Sequence, residues 1–250
     1  MVDGDYCLFD DMPKASSKKL DILPVSVIDI GAQNQIRRGT GGHDAYSSRG
    51  NYSHFPSEIA SLCYSLYLRD TQCVFDPFAG WGERHSFANA FDKKYIGFDC
   101  SQASVDAALN VYGVRNRLAN SLFDDLPEFD GVITCPPYWN LETYSAKGID
   151  AMPTWFNFLS AYRAIIERCY KAAPVGSIFC MMTGDWRDAG IYYPLTFETQ
   201  KAFSDFGADW VDSVVVSRKS VTKIKIMLPQ AIRLGYTVKV HETLSVFQKQ

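Results

Sequence analysis

Long apolar runs are absent from this sequence of 250 residues, and nothing approaches the roughly 20 residues that a membrane-spanning helix needs. Its first residues, Met1 to Cys7, lack the basic-then-apolar profile of a secretory leader, so the chain is expected in the cytoplasm. Cys-x-x-Cys pairs are absent too. The seven cysteines, at 7, 63, 73, 100, 135, 169 and 180, are odd in number and dispersed, which fits a reducing compartment rather than a disulfide framework. Histidine is scarce: His43, His54, His85 and His241 are scattered, and no metal site can be assembled from their spacing. Two glycine motifs are incomplete. Arg38-Gly39-Thr40-Gly41-Gly42 lacks the Gly-Lys-Ser/Thr ending of a phosphate-binding P-loop. The glycine turn after residue 76 lacks a third glycine, since His85 and Ser86 stand where a dinucleotide fingerprint would carry it.

What is present is a globular composition, 47% hydrophobic and 21% charged, of a length ordinary for one α/β domain with an extension. Ile22 to Ile30 is apolar enough for a strand, and Arg37 to Asn51 reads as a Gly/Ser/Arg-rich loop, a candidate lid. Ile59, Leu62, Cys63 and Leu66 recur at helical spacing between Pro56 and Arg69. There follow a strand at Cys73 to Phe75, a helix at Glu83 to Phe91, a strand at Tyr95 to Phe98 and a helix at Gln102 to Val111, which is the parallel crossover unit. Further strands are expected near Arg117 to Asn120, at Gly131 to Thr134, Ser177 to Met182, Trp210 to Val216 and Thr237 to Phe247, with helices over Thr154 to Ala172 and Pro194 to Phe206. The last two strands are expected to pair antiparallel around a basic insertion.

Two loops carry the chemistry. Asp76-Pro77-Phe78-Ala79-Gly80-Trp81-Gly82 follows the first crossover strand, where open α/β sheets bind ligands. Gly80 and Gly82 permit a tight turn beneath a cofactor, and Asp76 is placed to meet a cation or amine. Asp99 ends the next strand, 23 residues on, where an acid accepts ribose hydroxyls. The second loop is Thr134-Cys135-Pro136-Pro137-Tyr138, at the end of the strand Gly131 to Thr134.

Together these motifs resemble the amino-methyltransferases of DNA, over the stretch from about His54 to the C-terminus. That family has a glycine loop reading Asp-Pro-Phe-x-Gly-x-Gly, complete here from Asp76 to Gly82, and a base-side motif of Asp, Asn or Ser followed by Pro-Pro-aromatic, in which Cys135 takes the first place. The resemblance implies a Rossmann-like α/β fold, a seven-stranded mostly parallel sheet with one antiparallel edge strand. It also implies S-adenosylmethionine as cofactor and transfer of its methyl to the exocyclic amine of cytosine or adenine. On this basis 1–52 is an N-terminal extension and 53–250 the catalytic domain, with 217–235 the basic insertion. Phe55 and Pro56 would contact the methionine part, Phe78, Ala79, Gly80 and Gly82 would form the cofactor turn, and Asn120 would reach the adenine edge. Asp76 would meet the methionyl ammonium.

An exocyclic amine is a weak nucleophile because its lone pair is conjugated with the ring, so acceptors for its two protons assist attack. The resemblance assigns these roles to Cys135 and the carbonyl of Pro136, places Pro137 beside them in the catalytic motif, and has Tyr138 stacking on a flipped base. Neutral sulfur is a weak acceptor, which leaves three readings. Cys135 replaces serine in amino methylation; or its thiolate attacks carbon 6 of a pyrimidine to activate carbon 5; or the chain binds nucleic acid as an inactive partner subunit. An RNA base methyltransferase on the same fold is a further alternative.

The net charge of −3 does not by itself indicate a nucleic-acid partner. Its distribution does: no acid stands between Asp212 and Glu242, while Arg218, Lys219, Lys223, Lys225, Arg233 and Lys239 do. Such a patch suits a phosphate backbone, though it also suits a lysine-protected sheet edge. Trp139 and Asn140, with Tyr144, follow the Pro-Pro motif and are expected either at the pocket mouth against nucleic acid or packed on the next helix. No segment is long enough for a separate target-recognition domain, so recognition is assigned to these loops, a partner subunit or a homodimer.

Overall fold

Three consecutive apolar residues, Gly131-Val132-Ile133, and the Thr134 that ends them are all buried, as a parallel strand covered on both faces requires. The computed structural model that shows this describes residues 24–30, 55–141, 145–218 and 221–250. The expected loop over Arg37 to Asn51, together with His54 and Tyr144, lies outside them.

In chain order the strands are β1 (Val27–Asp29), β2 (Cys73–Asp76), β3 (Lys94–Asp99), β4 (Arg117–Leu118), β5 (Gly131–Thr134), β6 (Ile178–Thr183), β7 (Trp186–Asp188), β8 (Ile191–Tyr193), β9 (Asp209–Ser217) and β10 (His241–Gln248). The helices are α1 (Ser57–Leu62), α2 (Glu83–Ala90), α3 (Gln102–Tyr112), α4 (Trp155–Ala172), α5 (Leu195–Asp205) and α6 (Val221–Leu234). One sheet has the order β1-β9-β10-β6-β5-β2-β3-β4, and β7 and β8 form a separate hairpin. The pairs β2·β3, β2·β5, β3·β4, β5·β6 and β1·β9 are parallel. Among the described strands of this sheet, only β10 runs against its neighbours, β6 and β9.

The α/β class and the mostly parallel sheet are as expected, with two differences in detail. The sheet has eight strands rather than seven, because Val27–Asp29 adds in parallel to β9. The expected boundary at 52/53 therefore does not separate the sheet from the segment before it. The reversed strand is also not at the edge: β10 sits between β9 and β6.

Side chains alternate across the strands to form two cores. Phe179 and Met181 of β6 pack with Phe158, Tyr162 and Ile165 of α4 and with Phe203 of α5. Cys180 and Met182 of the same strand face the other way, onto Ile59, Leu62 and Tyr64. The Phe203 and Phe247 rings stack at 4.3 Å and fasten α5 to β10. Local signals set the helix ends. Thr154 caps α4 by accepting from the Asn157 N–H at 3.1 Å, and Gly113 closes α3 in the left-handed region that a glycine adopts freely. The helix expected from Pro56 to Arg69 is α1 followed by a π-helical turn at Cys63–Tyr67.

Two segments depart from the expectation in ways that shape the site. The stretch expected as a basic insertion folds into α6, whose Ile226 and Ile232 are exposed and whose Ala231 is buried. The stretch after β6, where no element was expected, is the β7–β8 hairpin. Among the described residues no helix is long and apolar enough to cross a membrane.

Candidate active site at the carboxyl edge of the sheet

The chain leaves β2 toward β3 on one side, and β5 lies on the other, so β2 stands at the topological switch point of the sheet. A cavity of about 600 Å³ opens there, within the range of small-molecule sites. Both sequence motifs line it: Phe78 and Gly80 from the first, Cys135, Pro136, Pro137 and Tyr138 from the second. Phe55, Asp99 and Asn120 line it as well. Its far side is made by the β7–β8 hairpin, by Met227 and Gln230 of α6, and by the run Tyr236 to Glu242.

Asp76 stands apart from this lining. It is fully buried, and both its carboxylate oxygens are engaged: Oδ1 accepts from the Phe78 N–H at 3.0 Å and the Thr134 hydroxyl at 2.5 Å. Oδ2 accepts from Arg84 Nε at 2.5 Å and the Tyr95 hydroxyl at 2.6 Å. Four donors saturate a carboxylate. Asp76, expected to meet an ammonium group, in this structure ties β2, β5, β3 and α2 together and does not line the cavity. Burial works against the Arg84 charge, but Asp76, Tyr95 and Cys135 together outweigh it and raise its pKa.

The glycine turn is held by the acid at the end of β3. Asp99 Oδ2 accepts from the Gly80 N–H at 2.8 Å and Oδ1 from the Ser101 N–H at 2.8 Å. Burial raises its carboxyl pKa to about 6, against the pull of those two hydrogen bonds. Gly80 has φ +56° and Gly82 φ +89°. A Cβ on Gly82 would lie 2.5 Å from Val114 Cγ2, so this turn admits no side chain there. Ala79 is buried and its N–H bonds the Phe98 carbonyl at 2.9 Å, while buried Pro56 precedes α1; neither lines the cavity. Phe55 is buried under the Arg84 guanidinium at 5.1 Å, and its N–H donates to Glu83 Oε2 at 2.8 Å. Asn120 serves as a turn residue, with Oδ1 accepting from the Leu122 N–H at 3.0 Å, and lines the cavity too.

At the other motif, Cys135 Sγ lies 3.7 Å from the Tyr138 hydroxyl. Burial and then the charge of Glu242 push the Cys135 thiol up to about 11, so it is protonated at neutral pH. The Tyr138 hydroxyl donates to Glu242 Oε1 at 2.8 Å, and Glu242 Oε2 is ion-paired with Arg218 Nε at 2.6 Å. The Tyr138 pKa is raised by burial and by Cys135 and Glu242. Trp186 of β7 stacks on the Tyr138 ring at 5.8 Å and 14°. Glu242 and Trp186 carry no motif in the sequence; only β10 running backwards brings Glu242 to this edge.

The residues expected at nucleic acid separate. Trp139 packs rather than projects: its indole N–H donates to the Met152 carbonyl at 2.8 Å and its ring meets Tyr193 at 5.2 Å and Trp155 at 6.1 Å. Asn140 is exposed and donates to Asp188 Oδ2 at 2.9 Å. Arg218 lines the cavity and Lys225 is exposed on α6. Lys219 and the side chain of Lys223 lie outside the described residues. Lys239 of the expected basic patch lies over Tyr192 at 4.7 Å, beside Arg187, to which no role was assigned from sequence and whose guanidinium lies over Tyr192 at 4.8 Å and Tyr236 at 4.7 Å. Among the described residues no cluster of three or more His, Cys, Asp or Glu is placed to hold a metal ion.

No family model and no curated protein matches this chain. Solved structures do. The N-methyltransferase NodS from Bradyrhizobium japonicum WM9, in complex with S-adenosyl-L-homocysteine, is 12% identical with a TM-score of 0.51, over 77% of this chain and 86% of that one. The StiE O-MT structure is 15% identical with a TM-score of 0.50, over 77% of this chain and 72% of that one. At such identities the likeness concerns the fold. The chain has the Rossmann-like fold of these methyltransferases.

Proposed function

We propose that this protein is an S-adenosylmethionine-dependent methyltransferase that modifies the exocyclic amino group of cytosine or adenine in DNA. One observation carries the reading: the glycine turn braced by Asp99 and the Cys135-Pro136-Pro137-Tyr138 turn open into a single cavity at the switch point of a methyltransferase fold. The half near Gly80, Asp99 and Asn120 takes the cofactor, with the Asp99 carboxylate accepting the ribose hydroxyls. The half between the Pro-Pro-Tyr turn and the β7–β8 hairpin takes a flat base turned out of its helix. The cofactor supplies an electrophilic methyl on a sulfonium; the Pro136 carbonyl accepts one hydrogen of the attacking amine.

Cys135 chemistry favours this over methylation at pyrimidine carbon 5. A thiol pushed up to about 11 is ionised in only roughly one molecule in ten thousand at pH 7, which is poor provision for a thiolate nucleophile. The rim supports a polyanionic substrate: Arg187 and Lys239 are arrayed over Tyr192 and Tyr236, a combination of cation and ring that suits phosphate and stacked base together.

The test is methyl incorporation from labelled S-adenosylmethionine into duplex DNA, single-stranded DNA, RNA and a panel of small amines. Label in DNA supports the proposal. Label only in RNA transfers it to the other polymer, and label only in small amines removes the nucleic-acid reading. Cofactor binding without label in any of them supports an inactive subunit instead.

A further inference from the structure

An attacking amine has two hydrogens to be held, and the Pro136 carbonyl provides for one. At the position from which the second acceptor would act stands Cys135, a protonated thiol whose sulfur accepts weakly. A polar atom of the cavity wall within hydrogen-bond reach of that sulfur is the Tyr138 hydroxyl, at 3.7 Å. Its own proton is directed away, to Glu242 Oε1 at 2.8 Å, so the Cys135 thiol is the donor in that contact and the other phenolic lone pair is left for a further donor. A phenol whose proton is held by a carboxylate is a stronger acceptor than a free one, because the two hydrogen bonds polarise each other.

The fold builds this arrangement specifically. Glu242 follows the first residue of β10, the one strand of the sheet that starts at the carboxyl edge, and it is almost wholly buried. Arg218, where β9 ends, holds Oε2 at 2.6 Å, so Oε1 stays on Tyr138. Gly184, after β6, leaves the space: a Cβ there would come within 3.1 Å of Glu242 Cγ and 3.3 Å of Tyr138 Cε2.

We propose, resting on the amino-methyltransferase reading above, that the Tyr138 hydroxyl is the second acceptor for the target amine and that Glu242 is the positioning residue that makes it one. The base then meets Tyr138 at its hydroxyl edge instead of lying flat on the ring, one face of which Trp186 covers. As the amine nitrogen bonds the methyl carbon, the carbon–sulfur bond breaks and its electron pair stays on sulfur, leaving a neutral thioether. The methylated nitrogen, now positive, gives one proton to the Tyr138 oxygen while the Tyr138 proton passes to Glu242 Oε1. The neutral Glu242 returns its proton to water when product leaves.

The experiment compares steady-state transfer to nucleic acid by the unaltered protein, by Glu242→Gln, by Tyr138→Phe, and by Glu242→Gln combined with Cys135→Ser. Glu242→Gln and Tyr138→Phe should each lower kcat about 10- to 100-fold with KM and S-adenosylmethionine affinity within about twofold. Adding Cys135→Ser to Glu242→Gln should recover most of the loss, since a serine hydroxyl restores an acceptor at the first motif position. A purely structural Glu242 would give no such recovery. A kcat within twofold of the unaltered protein in Glu242→Gln, or a loss that Cys135→Ser leaves untouched, overturns the proposal while the amino-methyltransferase reading stands. If the unaltered protein itself places no methyl on a base amine, that reading fails and the proposal falls with it.

Discussion

Replacing Asp76 by asparagine separates a structural acid from a cofactor-binding one. Asparagine keeps the shape and one oxygen, which can still accept from the Phe78 N–H and the Thr134 hydroxyl. Its amide nitrogen would then face two donors, Arg84 Nε and the Tyr95 hydroxyl, where a carboxylate oxygen now accepts both. Arg84 is nearly enclosed, its side chain 8% exposed, so its charge would be left without a counterion in the interior. Removing one partner of a buried ion pair costs about 3–5 kcal/mol. For a domain of this size that corresponds to a fall in Tm of roughly 6–20 °C. Urea unfolding gives the first figure and a thermal melt the second. Asp99→Asn is the comparison: its carboxyl carries no ion pair, and the change turns an amide nitrogen toward one of the two backbone donors, Gly80 or Ser101, so it should cost about 1–3 kcal/mol, less than Asp76→Asn, while weakening S-adenosylmethionine. The reasoning is refuted if Asp76→Asn loses less than about 1 kcal/mol of stability while cofactor affinity collapses, because the carboxylate would then be holding the ligand.

Two further outcomes are expected. Asp99 has its pKa raised to about 6, so the folded chain holds its proton over a pH range in which the unfolded chain, near 3.9, has released it. Stability of the free protein should therefore fall as pH rises from about 4 to about 6, while affinity for S-adenosylmethionine rises as the carboxylate forms; calorimetric titration between pH 5 and 7 showing flat or falling affinity would contradict the ribose role. Cys135 should be alkylated slowly at pH 7, with a rate still climbing toward pH 11, and Cys135→Ser should retain or increase transfer. Rapid neutral alkylation together with abolition of transfer by serine would make this thiol a nucleophile.

The order of elements from β2 to β6 was legible because, the two-residue β4 apart, each rests on a local signal: apolar strands four to six residues long, a Thr or Ser ahead of a helix, Gly113 after one. The position of Asp99, at the end of β3 and on the cavity, was legible for the same reason. Asp76 was not, because its burial depends on Arg84, Tyr95 and Thr134 converging from three other places in the chain. The strand within Ile22 to Ile30 was legible, but its place in the sheet was not, because Val27–Asp29 pairs with β9 nearly 190 positions away. Trp139 stands after the Pro-Pro motif like a reader of bases, yet its indole N–H is taken by the Met152 carbonyl, a partner no spacing predicts. Glu242 was invisible for the opposite reason: a lone acid at the start of a terminal strand becomes informative only once the reversed direction of β10 sets it beside Tyr138.

The most direct test of the central claim is to incubate the purified chain with isotopically labelled S-adenosylmethionine and unmodified DNA, digest to nucleosides and locate the label by mass spectrometry. The account predicts a labelled methyl on the exocyclic nitrogen of cytosine or adenine. Label on carbon 5 of a pyrimidine, or no label on any base while the cofactor is bound, would contradict it.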